Sequence, residues 1–84
     1  MHIILTSQAK EDISALALID QRAYQKLHQW LGDPEHQLSE PGLSVRLCID
    51  DGLTLFSRPL SEVHRLVYTY QNDKVVILQC RFHF

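Results

Sequence analysis

Leu43-Ser44-Val45-Arg46-Leu47-Cys48-Ile49 sets apolar positions 43, 45, 47 and 49 against 44, 46 and 48, the period of two expected of a half-buried strand. Asp50-Asp51-Gly52 follows as a hairpin signal. Residues 53–58 return as a second strand, which Pro59 ends. The chain before residue 43 obeys a different period, and that change decides the fold class.

Upstream, residues 2–6 form a short β-branched, apolar run and read as a strand. Ser7 then offers a helix N-cap, with Glu11 and Asp12 close behind to favour the positive end of the helix. Ala9, Ile13, Leu16 and Ala17 repeat at helical spacing. Asp20 is expected to cap a second helix, whose apolar face is Ala23, Leu27, Trp30 and Leu31 and which Gly32 and Asp33-Pro34 stop. Residues 35–42 read as a polar loop. Downstream, residues 64–70 and 75–82 are two more strands around the turn Gln71-Asn72-Asp73-Lys74. The expected class is α+β: two N-terminal helices packed on an antiparallel sheet, in the order β-α-α-β-β-β-β, in one domain over residues 1–84.

Apolar residues make up 45% of the 84-residue chain and charged residues 21%, which excludes a disordered chain. The net charge is -2, unlike the basic excess usual in nucleic-acid binders. Its distribution is uneven. Residues 1–40 carry six acids against three bases, whereas residues 55–84 carry four bases (Arg58, Arg65, Lys74, Arg81) against two acids. Cys48 and Cys80 have no metal or redox spacing and read as buried free thiols. The apolar run at residues 3–5 is too short for a signal peptide and no stretch is long enough to span a membrane, so a cytoplasmic location is expected.

The five histidines (His2, His28, His36, His64, His83) form no HExxH pair and have no partner at ligand spacing, so no metal site is expected. The chain also lacks a glycine-rich phosphate loop and a GxSxG elbow. Its last residues, Arg81-Phe82-His83-Phe84, are unusual. In one reading Phe82 or Phe84 closes the core and His83 is a solvated spacer. In the other, His83 is a proton donor near neutral pH beside a ring on which a base stacks.

His64-Arg65-Leu66-Val67-Tyr68 and Cys80-Arg81-Phe82-His83-Phe84 resemble the HRLVY and CRYHY segments of the YoeB (Txe) toxins of the RelE/ParE superfamily. Phe56-Ser57-Arg58 and Glu62 also match that family, and Asp20 and Arg22 match its helical region more loosely. The likeness runs over the whole chain. It implies a RelE-like microbial RNase fold and the toxin of a type II toxin–antitoxin pair, held by a YefM-like antitoxin. It further implies a homodimer or a toxin–antitoxin hetero-oligomer. The implied activity is cofactor-free and metal-independent cleavage of mRNA on the ribosome, by attack of the ribose 2′-OH on the adjacent phosphate. In that chemistry His83 matches the general acid and Arg65 the arginine that stabilises the phosphorane, because a guanidinium fork suits phosphate oxygens. Phe84 stands for a stacking tyrosine, and Arg46, Arg58, His64 and Arg81 for RNA contacts; Glu62 and Glu40 remain as candidate substitute bases, neither placed by the motif.

The sequence departs from the family at the base: Arg46 lies where a glutamate is expected, and Ile49 and Asp50 replace nearby basic and histidine positions. Pro59 replaces a second arginine and Val63 a glutamate, and Phe84 lacks the tyrosine hydroxyl. Two other readings stay open: a non-cleaving relic that binds its antitoxin, and a gyrase-directed inhibitor like the ParE toxins. The nuclease reading also sets a geometric condition. A plain two-residue turn at Asn72-Asp73 puts position 65 opposite 80, so Arg65 and His83 face opposite sides of the sheet. One bulge, or a three-residue loop, reverses that parity.

Overall fold

The computed structural model describes residues 2–38, 45–50 and 53–81. In chain order these form β1 (His2–Leu5), α1 (Ser7–Ile19), α2 (Gln21–Gly32), a single-turn α3 (Pro34–Gln37), β2 (Val45–Asp50), β3 (Leu53–Pro59), β4 (Arg65–Gln71) and β5 (Lys74–Gln79). The α+β order expected from the sequence is present, with α3 added where a polar loop was expected. Pro34 supplies the first helical position of that turn, with its φ already set for helix, and Leu38 behind it is wholly buried. The strand ends expected at Leu43 and Phe82, the Asp51-Gly52 part of the hairpin and Glu40 lie outside the described residues.

The five strands lie in the order β1-β5-β4-β3-β2. β2 to β5 form the expected antiparallel meander. β1, however, pairs parallel with β5, from His2↔Lys74 to Leu5↔Ile77, so the sheet is mixed. A run of β-branched residues encodes a strand but not the direction of its neighbour.

One residue ends β1 and starts α1. Thr6, not Ser7, is the N-cap, in an extended conformation whose hydroxyl accepts from the Ala9 N–H at 3.1 Å. The Thr6 N–H continues the parallel ladder to the Ile77 carbonyl at 3.1 Å, and its hydroxyl donates to the Leu78 carbonyl at 2.8 Å. Asp20 likewise serves two helices. Its N–H donates to the Leu16 carbonyl at 2.9 Å to close α1, and its carboxylate accepts from the Ala23 N–H at 3.1 Å to open α2. Glu11 and Asp12 lie beyond the first turn of α1, so they do not support its N-terminus as expected; Asp12 is turned inward instead.

α1 and α2 cover one face of the sheet. Ala9, Leu16, Ala23, Leu27 and Trp30 meet Leu66, Tyr68, Val75, Ile77 and Cys80 in a single cluster. Ser57, Val67 and Thr69 alternate onto the other face.

The β4–β5 hairpin turns on two residues, Asn72-Asp73, with Asn72 in the left-handed region at φ 59 that asparagine tolerates. The register is Gln71↔Lys74 through Tyr68↔Ile77, then shifts to Val67↔Gln79, leaving Leu78 as an extra residue. Counting on in the shifted register pairs position 65 with 81 rather than 80. Leu66 and Cys80, one step further out, are both fully buried in the helix-side core, as this parity requires. The described hairpin thus carries the parity-shifting bulge and not a longer loop, while His83, whose side the condition concerns, lies outside the described residues.

Thr6→Ala removes the cap and the partner of the Leu78 carbonyl together. It is expected to cost about 1–2 kcal/mol of stability, most of which Thr6→Ser recovers, measured by urea unfolding.

Candidate functional site

The alternation of β3 and β4 divides the candidate residues between two sides of the sheet. Arg58 is on the helix side. It is 4% exposed, and its guanidinium lies 5.1 Å from the centre of the Trp30 ring, with Lys26 Nζ also over that ring at 5.7 Å. An Arg58 Nη1 donates to the Gln37 carbonyl, which ties α3 to the sheet. In this conformation the cation of Arg58 is engaged by the core and by α3.

His64 is also turned toward the helices. It is 5% exposed, and its Nε2 lies 3.8 Å from an Asp20 carboxylate oxygen at the α1–α2 corner. Its carbonyl accepts from the Leu60 and Ser61 amides, and its N–H donates to the Ser61 hydroxyl at 3.2 Å, so the β3–β4 connection is a tight corner. The Ala23 amide above all, then the Ser61 hydroxyl and the His64 ring, hold the Asp20 carboxyl below the usual carboxylate range, with burial opposing. Glu62 follows in the same corner. It is exposed and lines a cleft of about 580 Å³ against α2, together with Arg22, Gln25, Lys26 and Gln29.

Arg65 is on the other side. Its Nε donates to the Ser57 hydroxyl and an Nη2 hydrogen to the Ser57 carbonyl at 3.3 Å. A guanidinium has five N–H donors, so two held by one serine fix the plane of the group while it stays half-exposed. The structure thus brings Arg65 and Ser57 together. No hydrogen bond or ion pair joins Arg65 to Glu62 among the described residues. Arg81 follows the end of β5 and is half-buried, and Arg46 lies on β2 beside a bulge opposite Phe56. His83 and Phe84 lie outside the described residues.

Two residues escaped the sequence reading as site residues. Ser57 was visible only as part of a matching segment. Asp12 sits at 3% exposure, accepting from the Cys80 N–H at 3.1 Å and from Gln8 Nε2 at 2.9 Å. Its signal was present: position 12 lies on the stripe of Ala9 and Leu16, where a carboxylate is out of place unless it has partners. Burial, and after it the Asp12 carboxylate, push the adjacent Cys80 thiol up to about 12. The buried free thiol expected at Cys80 is present.

The family model for a YoeB-like toxin of a bacterial type II toxin–antitoxin system matches residues 5–84. A YoeB/ParE toxin from Agrobacterium tumefaciens superposes with a TM-score of 0.77 at 23% identity, covering 100% of both chains. The YoeB dimer from Staphylococcus aureus gives 0.74 at 27% identity, covering 100% of this chain and 98% of that one. The toxin in the heterotetrameric YoeB–YefM complex of the same organism gives 0.70 at 27%, with the same coverage. By sequence, no curated protein matches significantly. No helix among the described residues is long and apolar enough to cross a membrane.

Removing the two cations should have unequal effects. Arg58→Ala is expected to cost about 2 kcal/mol in urea unfolding, through the lost Trp30 contact and the exposed Gln37 carbonyl, and Arg65→Ala less than about 1 kcal/mol. Asp20 has its own pH signature. Its folded carboxyl is more acidic than the unfolded one, so the stabilisation from its charge is complete above the usual aspartate pKa and is lost as pH falls through the folded value. Asp20→Asn keeps the cap but not the charge. Its stability deficit against wild type should be constant near about pH 6 and vanish toward about pH 2–3 in unfolding curves.

Proposed function

From the premise that the chain belongs to the family of YoeB-like toxins of bacterial type II toxin–antitoxin systems, we propose that it is an endoribonuclease that cuts mRNA on the ribosome without a metal. In this reaction the 2′-OH attacks the neighbouring phosphate and the 5′-oxygen leaves. The protein must stabilise the phosphorane charge and protonate the leaving oxygen. Arg65 is the cation of this reading and His83 the acid, with Phe84 as a stacking ring and Arg81 as a backbone contact. The observation that supports it is the bulge at Leu78, a one-residue register shift between β4 and β5 of the kind the reading requires if Arg65 and His83 are to serve one phosphate. The clamp of Arg65 by Ser57 supports it further, since a donor aimed in advance needs no reorganisation in the transition state.

Glu62 is left out as base, because it lines the α2 cleft with Arg22 and Lys26. With Arg46 where a carboxylate is expected, the 2′-OH lacks the usual acceptor, and a general base is worth about 10²–10⁴-fold. Turnover should be slow by that factor. Arg58 and His64 are likewise assigned to the scaffold and not to RNA, because both face the helices.

The natural inhibitor of this reading is a YefM-like antitoxin, the class of partner named for the related S. aureus toxin. Leu18, Ile19 and Val63 are exposed at 87%, 57% and 54%, and a groove of about 340 Å³ between α1 and α2 is lined by Ile13, Tyr24, Leu27 and Leu31. These apolar surfaces are where such a partner would gain burial. The place of Glu62 and the arginine at position 46 favour one second reading, a toxin-fold protein that binds its antitoxin without cutting RNA.

The test is mRNA cleavage on purified ribosomes by wild type, Arg65→Ala and His83→Ala. Wild type is expected to cut, and each variant to lose about 100-fold or more. Equal cutting by wild type and His83→Ala removes the histidine as acid. No cutting by any of the three, with the antitoxin still co-purifying, establishes the second reading. Inhibition of gyrase supercoiling instead would move the protein to the ParE mode.

A further inference from the structure

Ser57 and Arg65 stand on neighbouring strands, on the face away from the helices. In the β3–β4 register Arg65 lies opposite Pro59 and Ser57 opposite Val67, so the serine is the diagonal neighbour of the arginine. Pro59 has no side-chain acceptor to offer. Ser57 has two acceptors and both are used: its hydroxyl accepts from Nε, and its carbonyl from an Nη2 hydrogen at 3.3 Å.

Both bonds come from one edge of the guanidinium. The Nε hydrogen and the nearer Nη2 hydrogen lie parallel in its plane, as one of the two-pronged edges by which arginine grips an anion. The other such edge is the end of the group, made by one Nη1 hydrogen and the second Nη2 hydrogen. Among the described residues no acceptor takes those hydrogens. Ser57 is 1% exposed and Arg65 half-exposed, so the occupied edge rests on a residue closed to water while the cation stays open to solution.

A buried hydroxyl needs one partner, and a half-exposed arginine needs none. The second bond, from the same edge to the same residue's carbonyl, fixes the plane of the group. An arginine without that seat meets a phosphate by either edge and rotates between the two poses. Filling the Nε edge removes one pose before the phosphate arrives.

We infer that Ser57 is a positioning residue: by occupying the Nε edge of Arg65 it presents the Nη1–Nη2 end as the fork that grips two oxygens of the scissile phosphate. The inference deepens the nuclease reading and, for its catalytic part, rests on it. A fork held in plane and direction keeps its two bonds as charge builds on those oxygens, with no reorganisation in the transition state.

The experiment has two arms, run on the full chain. In the first, kcat and KM for mRNA cleavage on ribosomes are compared for wild type, Ser57→Ala, Arg65→Ala, Arg65→Lys and Ser57→Ala with Arg65→Ala. Ser57→Ala should lower kcat by about tenfold with KM within about twofold. Arg65→Lys should be as poor as Arg65→Ala, because an ammonium cannot rest on Ser57 and still offer two parallel donors. Once Arg65 is alanine, Ser57→Ala should change kcat by less than about twofold, since a positioning residue has nothing left to position.

In the second arm, exchange of the Arg65 Nε hydrogen with water is read by nitrogen-15 NMR, the signal being assigned by its loss in Arg65→Lys. Ser57→Ala should speed that exchange by about tenfold or more while the backbone amides of β3 and β4 stay protected. Should Ser57→Ala not fold, Ser57→Cys, with a weaker acceptor at the same place, carries both arms. An unchanged kcat in a folded Ser57 variant, an equal loss whether or not Arg65 is present, full activity in Arg65→Lys, or an unchanged Nε exchange overturns the inference. A wild type that does not cut RNA sinks the nuclease reading instead, and the exchange arm then decides the seating of Arg65 alone.

Discussion

The structure depends on one misfit in a ladder. Where Leu78 bulges out of the β4–β5 pairing, its carbonyl and the Cys80 amide are held by side chains rather than by the neighbouring strand. Buried backbone groups need partners, and here Thr6, the cap of the first helix, and Asp12 within it supply them. The same Thr6 ends β1 in the parallel ladder and caps α1, so strand, helix and bulge share one joint. The helix layer is thereby locked to the side of the sheet where the chain leaves toward its terminus.

That joint also sorts the charges. Strand alternation around it sends Arg58 inward, onto Trp30 and the Gln37 carbonyl, and Arg65 outward, onto Ser57. The two arginines are seven residues apart in a chain with few cations, and nothing in their composition distinguishes them. Burial does: one is packing and a tie to α3, the other a half-exposed guanidinium clamped in place. His64 and Glu62 belong to the inward side through Asp20 and the α2 cleft. The basic residues of the C-terminal stretch 55–84 are thus not all on one face.

Membership in the YoeB-like toxins rests on the family match over nearly the whole chain. Within that family frame the chain keeps a cation and a terminal imidazole but has an arginine where a base is expected. Under the proposed nuclease reading that departure makes for a slow catalyst, because positioning and charge stabilisation offset the loss of proton transfer only in part.

The sequence alone determined what depends on near neighbours: two helices of period 3.6, strands of period two, the Asp20 cap, the Asn72-Asp73 turn and the terminal segments that carry the resemblance. These signals are local because helix and strand periods repeat within a few residues. The tertiary structure decided the rest. Whether Arg65 shares parity with the residues after β5 turned on a bulge whose stabilising bonds join residues 72 and 68 positions apart, Thr6 to Leu78 and Asp12 to Cys80. The parallel pairing of β1, the burial of Arg58 and the inward turn of Asp12 likewise rest on contacts distant in sequence. No periodicity of a single segment reports a partner that only folding brings beside it.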